Sequence, residues 1–486
     1  MVLNPQSEVP LYRQVFEQLA LQIRSGELAR GERLLPTREL AGQLGLNRTT
    51  ISAAYELLES EGLIAGQVGR GSFVTGGGAA ARNGINWGTL LDRGESGFGI
   101  LSAGMGREAS FVMSRPSSDL FPLDDFRASC EAVIARHDLA EILQLGSPSG
   151  YEPLRRHLFE EARAQGLAAP GDDLIVTNGC QQALDLIARV LLRAGDAVAI
   201  EDPVYPGIRN LLAGMGVQLV GVPVGADGVD IAQMERALER ERLRLVIVTS
   251  NFQNPTGATL PEASRRALLH AARAKGVPVV ENDAYGELRY EGEPVAAVKQ
   301  LDDRGGTVLL GSFSKVSFPG LRVGWALGPK ALIDRMRQAK ETSDLHTDQL
   351  SQAVLLEFAE SGRLAAHRAR ILEAGSKRLR ATLDACREYL PAGTRWTRPQ
   401  GGMNVWVRLP EPLDAAALLP RAQKEGVAYL PGRYFGVSRQ DVAALRLSFA
   451  GLPPEEIRRG VATLGRIVAA EMEAASERVE PASAVV

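Results

Sequence analysis

Five short apolar runs recur between residues 170 and 312, and each is followed by turn residues and then by a stretch with helical periodicity. Near-continuous apolar strands that alternate with helices are typical of a mostly parallel sheet covered by helices on both faces. We therefore predict an α/β fold for the larger part of the chain. The apolar runs lie at 174–176, 198–200, 245–248, 279–280 and 308–310.

Residues 10–75 follow a different pattern. Three stretches with apolar residues at helical spacing are separated by Gly and Pro, and two short apolar segments follow with a polar turn between them. Thr37 and Asn47 stand at the starts of the second and third stretches, and both are residue types that cap helix N-termini. Three helices followed by a β-hairpin are the layout of a winged helix-turn-helix.

The length of 486 residues predicts roughly three folding units. We assign residues 1–75 to the winged helix and residues 76–109, which begin with a Gly-rich stretch, to a linker. Residues 110–470 form the α/β part, and from about residue 345 longer helices followed by strands indicate a smaller α+β subdomain. Residues 471–486 lack a core pattern, so a flexible tail is expected there.

The charge balance excludes a globally basic nucleic-acid binder, because the formal net charge is −3. Residues 1–76 contain seven Arg and eight Glu, so DNA binding there would depend on where the arginines lie on the fold. We therefore expect modest affinity for random DNA. Three scattered Cys and five unclustered His predict neither a disulfide framework nor a metal site. No apolar stretch approaches the ~18 residues of a membrane span, and we expect a cytoplasmic protein.

Unusual polar residues directly follow the apolar runs, at the strand ends where an open α/β sheet binds its ligands. Each has a simpler explanation alone, since a loop Lys is usually solvated and a strand-end Asp often caps a helix. Together, one Lys, one Asp, one aromatic ring and a helix N-terminus suited to phosphate are the parts of a pyridoxal phosphate site. The residues concerned are Gly179, Cys180, Gln181, Tyr205, Asn254, Asp283, Tyr285, Ser312, Lys315 and Arg322.

These motifs resemble known families. Residues ~110–470 resemble the fold-type I, aspartate-aminotransferase-like domain of pyridoxal phosphate (PLP) proteins, and residues 8–75 resemble a GntR-family winged helix. The fusion of the two is similar to the MocR/GabR-type bacterial transcriptional regulators. The segments NFQNPTG at 251–257 and ENDAYGELRY at 281–290 resemble the YdcR-like branch of these regulators.

The resemblance implies a role for each residue at the strand ends. Lys315 would be the lysine that forms the internal aldimine, and Asp283 would pair with the pyridinium nitrogen. Asn254 and Tyr285 would hydrogen-bond the phenolic oxygen of the ring, and Tyr205 would stack on the ring face. The phosphate would be held by the backbone of Gly179, Cys180 and Gln181 and by the side chains of Ser312 and Arg322.

Two arginines are candidates for binding the carboxylate of a substrate or effector. Arg446 lies in the alternating segment ALRLSFA, and the resemblance makes it the carboxylate clamp, with Arg209 as a second candidate. The simpler alternative for Arg446 is an Arg on a solvated strand face. The chain departs from the aminotransferase pattern at 144–146, where QLG replaces a QYG segment that often supplies a phosphate contact across the dimer.

The GntR resemblance also implies a DNA surface. The N-terminus of the third helix would enter the major groove, Arg38 would meet a phosphate or a base edge, and the wing would reach the minor groove. A helical protein-interaction module is the alternative. The predicted DNA-binding residues are Arg38, Asn47, Arg48, Thr49, Thr50, Arg70 and Gly71.

The expected function is that of a DNA-binding transcriptional regulator that senses an amino acid or amine through external aldimine formation with PLP. The partners would be double-stranded operator DNA, the small effector and a second copy of the chain in a homodimer. An active aminotransferase acting on an amino acid and a 2-oxo acid is the alternative. A regulator that has lost PLP is the third possibility.

Overall fold

The protein divides into two compact units, residues 1–94 and 95–486. Within the described part of the chain, no helix is both long and apolar enough to cross a membrane. The computed structural model describes residues 3, 9–29, 31–67, 71–75 and 109–479.

Three helices of the N-terminal unit pack around one small apolar core. They are α1 (Leu11–Ser25), α2 (Thr37–Leu44) and α3 (Arg48–Ser60). The core forms because each helix carries one apolar stripe, and the three stripes face one another. Its fully or nearly fully buried side chains include Val15, Leu19, Ile23, Leu40, Ile51, Ala54 and Leu58.

The predicted capping residues differ in their roles. Asn47 caps α3, since its side-chain oxygen accepts a hydrogen bond from the Thr49 N–H at 3.1 Å. The prediction for Thr37 is wrong: Pro36 is the N-cap of α2 and Thr37 is its first residue. Pro36 favours an extended backbone but has no side-chain acceptor, so this helix begins without a capping hydrogen bond.

A short antiparallel hairpin follows the three helices and completes the winged helix-turn-helix. Strands β1 (Ile64–Gln67) and β2 (Gly71–Val74) pair with Ile64 opposite Val74. Ile64 and Val74 are both buried in the core of the helices, which holds the hairpin against them. Residues 68–70 at the hairpin tip lie outside the described residues.

An eight-stranded sheet forms the centre of the second unit and confirms the predicted mostly parallel sheet. The strand order is β4-β11-β10-β9-β8-β5-β6-β7. The five strands from β10 to β6 in this order are parallel to one another. Strand β11 is antiparallel to both of its neighbours, β4 and β10. The bounds are β4 (Asp172–Thr177), β5 (Ala197–Asp202), β6 (Gln218–Gly225), β7 (Gly228–Val229), β8 (Leu243–Val248), β9 (Val279–Asn282), β10 (Thr307–Ser312) and β11 (Gly324–Pro329).

Helices cover both faces of this sheet, because successive strand side chains point to opposite faces and both sets are apolar. One face packs against α7 (Cys180–Leu191), α8 (Pro206–Gly214) and α12 (Lys330–Asp344). The other face packs against α4 (Leu123–Ile134), α5 (Leu139–Ile142), α6 (Glu152–Ala164), α9 (Ile231–Arg240), α10 (Glu262–Ala274), α11 (Val298–Leu301) and α13 (Gln349–Glu360).

A four-stranded antiparallel sheet forms the smaller subdomain, in the order β12-β13-β16-β15. Its core is shared with the long helix α14 (Arg363–Tyr389) and two later helices. The other elements are β12 (Arg395–Trp396), β13 (Asn404–Arg408), α15 (Ala415–Lys424), β14 (Val427–Ala428), β15 (Leu430–Pro431), β16 (Ala444–Ser448) and α16 (Pro454–Val479).

The structure corrects the expected start of the small subdomain near residue 345. Helix α13 lies beyond that residue, yet its Leu355 and Phe358 pack in the same core as Leu174 and Val176 of the large sheet. Conversely, β3 (Ala109–Ser110) pairs with β14 and so belongs to the small subdomain. The periodicity of a helix shows which of its faces is apolar, but it does not show which sheet covers that face.

The expected flexible tail from residue 471 is also corrected. Helix α16 continues to Val479, and Met472 packs against the core of the small subdomain. The segment lacks a core pattern in the sequence because few of its residues face the core. The helix nevertheless continues through it, with Met472 on the side that packs. Residues 480–486 lie outside the described residues.

Candidate functional site

A cavity of about 540 Å³ lies at the carboxyl ends of the parallel strands, and residues of the small subdomain close it. Most of the residues predicted to bind the cofactor line this cavity together with both predicted carboxylate-binding arginines. Gly179 and Asp283 do not line it but directly adjoin lining residues. The predicted residues that line it are Cys180, Gln181, Tyr205, Arg209, Asn254, Tyr285, Ser312, Lys315, Arg322 and Arg446.

Lys315 ends a one-turn 3-10 helix, Phe313–Lys315, that directly follows β10. Its Nζ donates a hydrogen bond to the backbone oxygen of Ser114 at 2.7 Å and lies 5.3 Å from the centre of the Tyr285 ring. No carboxylate pairs with this ammonium group among the described residues. The amine therefore projects into the cavity with only a neutral acceptor and an aromatic ring beside it.

Asp283 follows β9 and is fixed by a buried polar network. Asn251 Nδ2 donates to Asp283 Oδ1 at 2.7 Å, and the guanidinium of Arg265 donates to Asn251 Oδ1 at 2.7 Å. Arg265 is fully buried and lies 3.9 Å from the Glu281 carboxylate. Burial and the charge of Glu281 raise the pKa of Asp283, whereas the Asn251 hydrogen bond opposes that rise.

Asn254 connects Tyr285 with Arg446. Its Nδ2 donates to the Tyr285 hydroxyl at 3.3 Å, and its Oδ1 accepts from Arg446 Nη1 at 3.0 Å. All three side chains are at least nine-tenths buried. The structure thus brings the two residues predicted to contact the ring oxygen into one hydrogen-bonded row with the predicted carboxylate clamp.

The predicted phosphate end lies at the N-terminus of α7. Gly179 precedes this helix with φ 78°, and a Cβ at this position would lie 2.5 Å from Arg322 Nη2. Arg322 donates to the Asn178 backbone oxygen at 3.3 Å and to Ser314 Oγ at 3.4 Å, and no carboxylate pairs with it among the described residues. Glycine therefore permits a guanidinium without a carboxylate partner to lie beside the helix N-terminus, an arrangement suited to an anion.

Ser312 was predicted to hold the phosphate by its side chain, which already has a contact within the protein, and the side chains of Cys180 and Gln181, whose backbone was predicted to hold it, also have contacts of their own. Ser312 Oγ accepts from the Ser314 N–H at 3.0 Å, and Gln181 Nε2 donates to the Gly207 oxygen at 3.0 Å. The Cys180 thiol contacts the Gly311 oxygen, and burial raises its pKa to about 11. Cys180 is therefore a neutral thiol near neutral pH, which removes a negative charge from the phosphate end.

Arg446 is a buried cation without a counter-ion. It is 3% exposed, and its two terminal nitrogens donate to Asn254 Oδ1 and to the Val112 backbone oxygen. Its Nε has no partner, and no carboxylate pairs with the guanidinium among the described residues. Burial lowers its pKa to about 10, so it still carries its charge near neutral pH. Arg446 thus lies within the protein, not on a solvated strand face.

Arg209 and Tyr205 also line the cavity, from the start of α8. The guanidinium of Arg209 donates to the Gly436 oxygen at 2.9 Å and to Asn210 Oδ1 at 3.1 Å. Tyr205 is 37% exposed, and its ring lies so close to Gly207 that a Cβ there would be 2.3 Å from it. Arg209 contacts only neutral oxygens, so it is a second cation available in this cavity.

The sequence interpretation missed several contacts. Asn251 and Arg265 hold Asp283, the Ser114 oxygen holds the Lys315 amine, and Ser314 contacts Arg322. Asn251 had a signal, since it follows β8 as the predicted residues follow their strands. Ser114 had none, because it comes from a distant, irregular segment.

The predicted DNA-binding residues of the N-terminal unit are mostly exposed. Arg38 lies in the first turn of α2, and Arg48 and Thr49 lie in the first turn of α3, with Thr50 half-buried behind them. Asn47 is exposed, but its Oδ1 caps α3. Gly71 begins β2, and Arg70 lies outside the described residues.

The described residues fit pyridoxal phosphate. Three groups at the same end of the large sheet match parts of this cofactor. They are the amine of Lys315, the carboxylate of Asp283 and the guanidinium of Arg322, which lies beside a helix N-terminus without a carboxylate partner. The close approach of Gly179 and Arg322 and the partnerless Nε of Arg446 both indicate a site built to receive anionic groups.

Comparison with known families identifies the class. Residues 121–464 match the family "Aminotransferase class I and II", and residues 11–74 match "Bacterial regulatory proteins, gntR family". The chain belongs to the class I and II aminotransferase family, whose cofactor is PLP. With its GntR domain it is, more particularly, a MocR-type regulator, while the narrower YdcR-like branch stays a prediction.

The relatives include both enzymes and regulators. Aromatic-amino-acid aminotransferase 1 of Thermococcus litoralis is 36% identical over 74% of this chain and 87% of its own. The probable rhizopine catabolism regulatory protein MocR of Rhizobium meliloti is 29% identical over 96% of this chain and 95% of its own. LysN, the alpha-aminoadipate aminotransferase of Thermus thermophilus, was solved as a complex with N-(5'-phosphopyridoxyl)-L-leucine. Its TM-score is 0.72 at 33% identity, over 80% of this chain and 98% of that chain.

Proposed function

We propose that this protein is a homodimeric transcriptional regulator that binds operator DNA and senses an amino acid or amine in its PLP-binding cavity. The observation that carries the proposal is Arg446, a buried guanidinium without a counter-ion in the same cavity as the Lys315 amine. A buried cation is costly unless an anion neutralises it, so this cavity favours a ligand with a carboxylate. The winged helix on the same chain supplies the output.

Different residues of the cavity would bind different groups of the cofactor and of the amino acid. Pyridoxal phosphate, when bound, supplies an aldehyde that condenses with primary amines and a ring that withdraws electrons. Arg322, Gly179 and the N-terminus of α7 would hold its phosphate, and Asp283 would hold a proton on its ring nitrogen. Lys315 would donate or accept a proton at its Nζ, and Arg446 would orient the carboxylate of the incoming amino acid.

DNA recognition would use the exposed N-terminus of α3. Arg48 and Thr49 are exposed there, and Arg38 is exposed at the start of the preceding helix. In helix-turn-helix proteins, side chains near the N-terminus of the recognition helix, here α3, contact base edges, and arginines there and nearby contact phosphates. The effector would change DNA binding only if it binds the DNA-competent and DNA-incompetent states of the dimer with different affinity.

An electrophoretic shift assay tests the proposal. The full chain, with and without PLP, is titrated on its native upstream DNA in the presence of panels of amino acids and amines. We expect a sequence-specific shift whose midpoint changes with PLP and a subset of amino acids, and no ligand response in Lys315→Ala. Absence of any specific shift under all conditions would contradict the regulator, and an unchanged midpoint with every ligand would contradict the sensor.

An active aminotransferase is a second candidate function, and one observation favours it. The predicted catalytic and cofactor residues all line the cavity or, as with Gly179 and Asp283, directly adjoin lining residues, and a site used only for binding would not need the whole set. Turnover of an amino acid with a 2-oxo acid at roughly 1–10³ per second would support an enzyme. A change in the absorption band of the cofactor without sustained turnover would support the sensor.

A further inference from the structure

We propose that Asn404 is a positioning residue for the Lys315 amine, and that it acts through the hydroxyl of Ser114. This inference rests on the proposed function and deepens it, because Lys315 is the lysine of the same site. Three consecutive residues, Val112, Met113 and Ser114, line the cavity without belonging to a helix or strand. The groups that hold their backbone therefore decide where the acceptor of the Lys315 amine lies.

Three side chains on one face of the small sheet each hold one of these consecutive residues. Strand alternation produces this face, since the intervening residues of β13 and β16 pack in the apolar core on the other side. Asn404 and Ser448 lie directly opposite each other in the two strands. The hydrogen bonds run from Arg446 Nη2 to the Val112 oxygen, from Ser448 Oγ to the Met113 oxygen at 3.0 Å, and from the Ser114 hydroxyl to Asn404 Oδ1 at 2.6 Å.

Ser114 connects this sheet to the lysine. Its hydroxyl donates to Asn404 of the small subdomain, while its backbone oxygen accepts from Lys315 Nζ at 2.7 Å. Among the described residues this oxygen is the one hydrogen-bond acceptor of the amine. Because the amine stands on a flexible four-carbon stem, the position of that acceptor determines where the amine lies.

Two restraints direct the Ser114 oxygen toward the lysine. Ser448 holds the peptide oxygen of the preceding residue, Met113, and Asn404 holds the Ser114 side chain. A rotation of the Ser114 backbone that moved its oxygen would break one or both of these bonds. Without Asn404, Ser114 keeps only the restraint on its N-terminal side, and the Lys315 amine loses a fixed acceptor.

Packing alone does not explain an amide at position 404. The side chain of Asn404 is 0% exposed, and its Nδ2 has no partner among the described residues. A buried N–H group without an acceptor costs free energy, and an apolar side chain would avoid that cost. The one hydrogen bond that the side chain does make goes to Ser114, so we infer that this bond is its role.

The experiment measures two rates for Lys315 in the full chain. The first is trace acetylation of the PLP-free chain by acetic anhydride, quantified by mass spectrometry relative to the exposed Lys377. The second is the growth of the absorption band of the cofactor after PLP is added.

Asn404→Leu, which keeps a branched side chain but removes the acceptor, should change the two rates in opposite directions. We expect acetylation of Lys315 to rise about 2–10-fold, because the amine loses its fixed hydrogen bond. The band should form about 2–10-fold more slowly, because the amine is no longer held in one place to meet the aldehyde.

Ser114→Ala tests the path of the effect from the cavity side, and it decides the question if Asn404→Leu does not fold. It should reproduce both changes, and the double variant should show no further change. Ser114→Thr, which keeps a hydroxyl, should restore both rates. Thr397→Val is the matched control, since it removes a hydroxyl that accepts from the Trp406 N–H in the same sheet. Its rates should equal those of the wild type.

Unchanged rates in both single variants, or effects that add in the double variant, would overturn the inference. A lower melting temperature with unchanged rates would show that Asn404 has only a structural role. A rise in both rates would mean that Asn404 acts on the reactivity of the amine and not on its position, which also overturns it. If PLP produces no band in the wild type, the proposed function fails, whereas acetylation of the PLP-free chain still tests Asn404.

Discussion

Asn251 donates a hydrogen bond to the Asp283 carboxylate at 2.7 Å, and its own oxygen is held by Arg265 at the same distance. A 180° rotation of the Asn251 amide would therefore break both hydrogen bonds, so its N–H groups stay directed toward Asp283. This bond favours the charged carboxylate, whereas burial and Glu281 favour the protonated form. Asn251 therefore helps to keep Asp283 charged, and a charged Asp283 is what would bind the protonated ring nitrogen of PLP.

Replacing Asn251 by Ala should weaken retention of PLP by about 10–150-fold, because a hydrogen bond to a charged group contributes about 1.5–3 kcal/mol. Equilibrium dialysis of the full chain with absorption of the bound cofactor measures the change. The loss also leaves the buried Arg265 without one acceptor, so the melting temperature without PLP must be measured alongside. Unchanged retention in a folded variant would show that Asn251 does not position Asp283.

Glu201 should make the stability of the protein fall as the pH rises. It is buried, accepts hydrogen bonds from the Thr249 N–H and from Gln253, and has no cation within ion-pair distance among the described residues; burial raises its pKa from 4.5 to about 8. Between these values the folded state keeps a proton that the unfolded state releases. The free energy of unfolding should therefore decrease by about 1.4 kcal/mol per pH unit from this group, and stay level above about pH 8.

Glu201→Gln should flatten this decrease, because the amide does not titrate. Denaturant unfolding of the PLP-free chain between pH 5 and pH 8.5 measures it, with Glu239→Gln on the exposed face of α9 as the control. Asp283 titrates in the same direction and is present in all three proteins, so the comparison isolates Glu201. Parallel curves for wild type and Glu201→Gln would contradict the prediction.

Arg446→Gln should abolish the response to amino acids while sparing simple amines. The guanidinium is the buried cation in line with Asn254 and Tyr285, so its loss removes the partner of the carboxylate. We expect about 100-fold weaker binding of any amino acid that the wild type binds, and a change below about threefold for an amine without a carboxylate. Spectral titrations with matched pairs of amino acid and decarboxylated amine distinguish the two outcomes, and an equal loss for both would argue against the carboxylate role.

Asn47 should act on DNA binding through the capping of α3. Its side-chain oxygen accepts from the Thr49 N–H, so Asn47→Ala should cost about 1 kcal/mol of local stability. Asn47→Ser, which can also cap, should retain DNA affinity within about twofold, and Asn47→Ala should lose more. An equal loss in both variants, measured by fluorescence anisotropy, would instead indicate that the amide itself contacts DNA.

Arg48 should contribute a phosphate contact, because it is exposed in the first turn of α3 and no ion pair engages it among the described residues. Arg48→Ala should then lower affinity for specific and random DNA alike and reduce the slope of log affinity against log salt by about one. Arg266→Ala, at an exposed position of α10 in the other unit, is the control. An unchanged salt slope together with loss of specificity would place Arg48 on a base edge.

Local patterns predicted much of this protein correctly. The apolar stripes of residues 10–75, with Asn47 as a cap, predicted three helices and a hairpin, and five apolar runs predicted a mostly parallel sheet. From the rule that ligands bind beyond strand ends we predicted that Lys315, Asn254 and Tyr285 share one site, and all three line the same cavity. These predictions succeed because strand and helix periodicity, and the position of a residue directly after a strand, are encoded by near neighbours in the chain.

The tertiary structure decided what distant segments do to one another. It placed α13 against the large sheet, joined β3 to the small subdomain and extended α16 to Val479. It also placed the Ser114 oxygen on the Lys315 amine and buried Arg446 without a counter-ion. A sequence shows which residues are charged or apolar, but whether a charge is buried, paired or left free depends on groups hundreds of residues away, and that balance gives the cavity its preference for anions.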